Sequence, residues 1–185
     1  NHMPTTQSAP ATTTWKIDPA HTYVEFAVKH LMITTVKGRF SDVEGTITDV
    51  ANDPSQSSVS ATIKAASIDT RTGQRDDHLR SQDFLHAENF PEIAFTSTRI
   101  SGDADSFEVA GQLTIRGVTR EITLHVSKEG SGKDPWGGER VGFSATAKLD
   151  RRDYGLVWNQ AIESGGVVVG NEVKISIEVE AVKQA

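Results

Sequence analysis

The residues best suited to chemistry are four histidines and the acidic residues around two of them. His30 closes the run Val24-x-Phe26-x-Val28-x-His30, so its side chain points the way the apolar ones do. His78 and His86 lie in or just after a stretch holding Asp76, Asp77 and Asp83, and His21 follows Asp18-Pro19 in a turn, where its expected partner is the backbone. Such groups could ligate zinc or move protons. No histidine pair has ligand spacing such as the i, i+4 pair of a zinc-binding helix, and the chain contains no cysteine. Neither a metal nor another cofactor is therefore expected. Gly-x-Ser-x-Gly, a phosphate loop and Gly-x-Gly-x-x-Gly are all missing, so no catalytic residue is assigned. A single inward histidine is more often a satisfied rim or core group. The Asp-rich stretch reads as a solvated face, with Asp76 and Arg80 four apart, where they can pair.

Composition narrows the partners. With 185 residues, one domain is favoured. The formal charge is −6 and Lys and Arg are scattered, which argues against nucleic acid and against an anionic membrane surface. Hydrophobic residues make up 36% of the chain without any long apolar run, so no stable membrane insertion is expected. Asn1-His2-Met3 reads as a cloning scar and Pro4–Thr14 as a Pro/Ser/Thr/Ala tail; residues 1–13 are expected to be disordered, with the folded domain spanning 14–185. No charged n-region precedes an apolar stretch. The expected location is cytoplasmic for the chain as it stands, and periplasmic or secreted if a leader was removed.

What must position any site is a series of strands. Apolar residues alternate with polar ones in 24–30, 36–40, 43–47, 59–65, 107–115, 122–126, 141–149 and 173–179. One apolar and one polar face per segment is the mark of antiparallel sheet. Arg116-Gly117-Val118-Thr119 reads as a tight hairpin and Ala51–Ser58 as a longer one. Thr72–Leu85 has lost the alternation and reads as a short helix across an end or edge; Arg151–Gly170, with Tyr154, Trp158 and the Gly165-Gly166 pair, reads as a loop with a helical turn. Strand glycines such as Gly38, Gly45 and Gly111 suggest bends or close approach. An antiparallel barrel or sandwich follows from these signals, but not a ligand.

The ordered set of motifs does more. The chain carries Trp15-x-Ile17-Asp18-x-x-His21-Thr22-x-Val24-x-Phe26-x-Val28-x-His30-Leu31, then Val36-x-Gly38-x-Phe40 and Ser67-Ile68-Asp69-Thr70. Arg75-Asp76-x-His78-Leu79-Arg80-Ser81-x-Asp83-Phe84, Phe90-Pro91-x-Ile93-x-Phe95, Leu113-Thr114-Ile115-Arg116-Gly117-Val118-Thr119 and Val141-Gly142-Phe143-Ser144-Ala145 follow. In this order and spacing, over roughly residues 14–183, the chain resembles the YceI-like family of polyisoprenoid-binding, lipocalin-like barrel proteins. It departs at Arg120-Glu121-Ile122, where the family often has proline beside the basic residue.

The resemblance implies an all-β fold, an extended antiparallel barrel of about eight strands with one short helix. Its lumen would hold a polyisoprenoid such as a prenyl quinone or prenyl diphosphate, which the protein carries, stores or shields. The lining candidates are Phe26, Val28, Phe40, Ile63, Phe95, Leu113, Phe143 and Ile175, with small residues such as Gly111 and Ala145 leaving room. The mouth candidates are His30, Asp76, His78, Arg80 and Asn159. A homodimer is an assembly compatible with this reading. Two alternatives stay open: an enzyme acting on such a lipid with His30 or His78 as acid or base, and a barrel filled by side chains that works through its surface.

Overall fold

The structure is a computed structural model that describes residues 11–51, 53–159 and 168–185. Its strands are β1 (Thr12–Ile17), β2 (Tyr23–His30), β3 (Thr34–Phe40), β4 (Val43–Val50), β5 (Ser58–Lys64), β6 (Ile68–Asp69), β7 (Glu92–Gly102), β8 (Ser106–Ile115), β9 (Val118–Lys133), β10 (Glu139–Asp150) and β11 (Glu172–Lys183). The helix α1 (Gly73–Arg80) lies between β6 and β7. All pairings are antiparallel, and β1 pairs with β11 to close the sheet into a barrel.

The eleven segments are eight strands. β1 and β2 are one long strand interrupted by the turn Pro19–His21, since β1 pairs with β4 while β2 pairs with β3. Its partner is interrupted only at Ser41-Asp42, between β3 and β4. β5 and β6 continue each other across the turn Ala65–Ser67, pairing with β4 and β3 respectively. Counted this way, each strand pairs with its neighbours in sequence and the last with the first, which is an eight-stranded up-and-down barrel.

Local chemistry explains most of this. Arg116 (φ 50°) and Gly117 (φ 73°) make the two-residue turn between β8 and β9, with the positive φ that tight hairpins need. The loop between β2 and β3 is less orthodox: Leu31 (φ 53°) and Met32 (φ 56°) are left-handed although neither is glycine. Their conformation costs roughly 1–2 kcal/mol each. The buried cluster includes Ile93, Phe95, Ile100, Val109, Leu113, Ile115 and Val126 from β7, β8 and β9, with Tyr154 and Leu156 beneath.

Several expectations need correction. β1 begins at Thr12, so the stretch read as tail enters the barrel two residues before the expected boundary; Asn1-His2-Met3 and the rest of residues 1–10 lie outside the described residues, as does the Gly165-Gly166 pair. The helix is shorter than Thr72–Leu85, because the chain leaves α1 at Ser81 for turns through Leu85. The helical turn expected in the later loop is Arg151–Tyr154. The strand glycines make little empty room: a Cβ at Gly38 would strike the Phe26 ring, and one at Gly111 would lie 2.5 Å from the Phe95 ring. Each glycine seats a neighbouring ring instead.

Candidate functional site

The lumen holds two chambers. The first, about 440 Å³, opens beside α1 and the β2–β3 tip. Its wall includes Phe26, Val28, His30, Phe40, Ile63, His78, Phe95, Leu113 and Ile175. The second, about 890 Å³, faces the other end and includes Phe143 and Ala145 in its wall. Ile17, Val59, Leu124, Ile177 and Val179 border both chambers and form the waist between them. Each volume falls within the range of small-molecule sites. The inward residues Phe26, Val28, Phe40, Ile63, Val173, Ile175 and Ile177 remain half-buried rather than buried. Alternation aims them at the axis, yet opposing side chains do not meet there.

The first mouth is closed in part by an aromatic triangle. His78 meets Trp158 edge-on at 4.6 Å and Phe84 at 5.1 Å, and Phe84 lies 5.3 Å from Trp158. α1 and its following turns supply His78 and Phe84, while the segment after Tyr154 supplies Trp158. His78 Nε2 also pairs with Asp83 at 2.8 Å, fixing the ring.

Two arginines give this mouth its electrostatics. Arg75 Nε donates to Thr70 Oγ1 and Nη2 to the Thr70 carbonyl, and Thr70 donates from both N–H and Oγ1 to Asp76 Oδ1. This relay holds Arg75 on the chamber wall, with no ion-pair partner among the described residues. Arg151 is only 3% exposed, and its donors reach four carbonyls: Gly170, Leu156, Trp158 and Val169. Burial lowers its pKa, and Asp150 opposes that effect. Asp150 itself is held down at about 2 by Arg152, and only then by its other partners. Tyr154 is buried beneath this loop, its hydroxyl without a hydrogen-bond partner among the described residues and pushed up to about 12 by desolvation.

The remaining expected residues sit elsewhere. Asp76 is buried and bonded to Thr70 rather than to Arg80. Arg80 turns back to the Ala66 and Ile68 carbonyls and to Asp77, because three acceptors converge on its fork. Asn159 spends its amide on both backbone groups of Val169, so it braces the loop and does not line either chamber. Gly111 lines neither chamber. His21 pairs through Nδ1 with Asp18 and Glu180, not with backbone; with Arg140 bonded to both acids this is an ion-pair network. Thr70, Arg75, Arg151 and Trp158 were not singled out as mouth residues. Arg75 and Thr70 stand in the sequence only inside motifs that carry the resemblance, and Arg151 and Trp158 only as parts of the later loop.

An eight-stranded antiparallel barrel with an apolar two-chambered lumen and one helix at its mouth is a lipocalin-like barrel. The YceI-like domain model matches residues 15–181, and the chain belongs to that family. Protein YceI of Salmonella newport (strain SL254) is 39% identical over 172 residues, covering 92% of this chain and 87% of that protein. The crystal structure of Burkholderia cenocepacia BcnA superposes with a TM-score of 0.75 at 23% identity, over 89% of this chain and 98% of its own. A structure described as a polyisoprenoid binding domain from Saccharophagus degradans implicated in plant cell wall breakdown has a TM-score of 0.63 at 15% identity, over 95% and 99%. At that identity the last two share the fold.

Proposed function

We propose that this protein binds an isoprenoid-type lipid along the lumen and acts as its carrier, store or shield. The half-buried inward side chains carry the reading: they leave an apolar channel that an extended chain would fill. Burying one five-carbon isoprene unit contributes roughly 4 kcal/mol at about 0.8 per carbon. Three units reach a gross value near 12 kcal/mol, about nanomolar before ordering costs. The tail thus supplies affinity, and the polar mouth selects the head group. Arg75, without a carboxylate partner among the described residues, and His30 on the same wall favour an electronegative head group such as a quinone carbonyl or a diphosphate. The description of the Saccharophagus degradans neighbour supports the same ligand class.

Organic extraction of the purified protein followed by mass spectrometry tests the reading. A stoichiometric prenyl lipid is the expected result. A protein that yields no lipid, and takes up none from a prenyl quinone or prenyl diphosphate solution, would overturn it.

A further inference from the structure

The mouth of the first chamber lies beside an apolar tip. Met32 is 61% exposed, Ile33 77% and Val157 65%. They belong to one end of the molecule. Leu31 N–H donates to the Val168 carbonyl and Gly170 N–H to the Lys29 carbonyl, tying the β2–β3 tip to the 168–170 segment. Arg151 then ties that segment, through Gly170 and Val169, to the carbonyls flanking Val157. Leu31 and Met32 are held in left-handed backbone, where bulky side chains are uncommon. A tip selected only for turning would carry Asn-Gly.

Below the tip the outer barrel face carries more basic than acidic groups, with Glu25 of β2 and Glu172 of β11 the carboxylates among them. Lys174 of β11 stands opposite Ala27 of β2, and Ala27 opposite Lys37 of β3. Lys29 is two residues nearer the tip on the same face of β2. All three lysines are exposed, and none has an ion-pair partner among the described residues. Lys29 and Lys37 of the β2–β3 hairpin are thus joined by Lys174 from β11, a strand distant in sequence. This corrects the expectation that no basic patch would form.

We infer that this end docks transiently on an anionic lipid surface, with Met32, Ile33 and Val157 entering the interface and Lys29, Lys37 and Lys174 facing the head groups. An apolar tip flanked on one side by lysines suits interfacial binding, and the adjoining chamber gives a lipid a route between bilayer and lumen. The inference rests on the lumen reading for its purpose, not for its geometry.

The test uses the whole protein with vesicles of phosphatidylcholine alone, or with one third phosphatidylglycerol. Co-sedimentation is expected with the anionic vesicles and to weaken with salt. Lys37→Gln should weaken it about fivefold, the equivalent of about 1 kcal/mol per lysine near such a surface. Met32→Gly with Ile33→Asn should weaken it at least tenfold while folding as well as the parent, since glycine relieves the left-handed backbone. Parent protein that fails to bind anionic vesicles would overturn the inference, as would a tip variant that binds like the parent. So would a parent dimer that the tip variant converts to monomer, because the patch would then be an interface between copies. Extracting lipid from every sample separates the two readings. Lipid in the lumen without vesicle binding refutes docking alone, and vesicle binding by a protein that never holds lipid refutes the lumen alone.

Discussion

Two arginines with opposite solutions to burial show how single residues hold this barrel. Arg140 is surrounded by acids: Nη1 donates to Asp18 at 2.8 Å and Glu180 at 3.1 Å, and Nε to Asp134 at 2.9 Å. Its guanidinium, and after it His21, hold the Asp18 carboxyl down at about 2 against an ordinary 3.8. A depressed carboxylate stabilises the fold above its unfolded pKa and loses that contribution as pH falls through its folded value. The Asp18 contribution is thus complete above about pH 4 and fades toward pH 2. Arg140→Leu should destabilise the fold at pH 7 and shift acid unfolding to higher pH, as urea titrations at several pH values would show. Arg151 instead donates to four carbonyls and, among the described residues, to no carboxylate. Arg151→Met should cost about 3–5 kcal/mol, because buried acceptors lose their donors together. Arg151→Lys should recover less than half, since a single ammonium cannot span the positions of a planar fork. Equal urea midpoints for Lys and Arg at position 151 would refute the cradle.

At the scale of elements, the hairpin between β8 and β9 gives the clearest prediction. Gly117 is left-handed and its Cβ position lies 2.8 Å from the Phe90 ring, so Gly117→Val should cost about 1–3 kcal/mol. Arg116→Asn, at φ 50°, should be neutral or stabilise by up to about 1 kcal/mol; thermal melts of both variants check the pair. Strands of this kind were legible because alternation survives along them. β7 was hidden because its register shifts between Ser97 and Arg99, which returns Ile100 to the core out of phase with Ile93 and Phe95. β1 was hidden by its threonines, and β6 is only two residues long. The lining residues were legible for the reason the strands were. Of the mouth, His30 and His78 were legible, but Thr70, Arg75, Arg151 and Trp158 come from a strand end, a helix and a loop that meet only in space. Alternation likewise aims Phe143 and Ala145 inward but says nothing of how far along the axis they lie.

For the whole molecule, the question is whether the two chambers act as one channel. They meet at the waist of Ile17, Val59, Leu124, Ile177 and Val179, contributed by β1, β5, β9 and β11, strands spread around the wall. A chain longer than the first chamber must pass that waist to bury its remaining units, and each unit left outside forfeits roughly 4 kcal/mol of gross binding. Leu124 is only half-buried and inward, so Leu124→Trp would fill the waist from one side. Overpacking of this kind costs typically 1–3 kcal/mol, which a barrel of this size tolerates. The folded variant should co-purify with shorter prenyl chains than the parent, or bind a short prenyl lipid normally and a long one weakly. Thr146→Trp, on the exposed face of β10, is the control and should leave the chain-length distribution unchanged. Ala145→Phe, in the second chamber alone, should affect long chains and spare short ones. Gly111→Phe is a poor blocker, since the new side chain would strike the Phe95 ring and the Thr96 carbonyl before it reached the lumen. Mass spectra of lipid extracts from these variants decide the matter: if folded Leu124→Trp retains chains as long as the parent's, the chambers are separate, and the tail lies wholly on the side of the mouth.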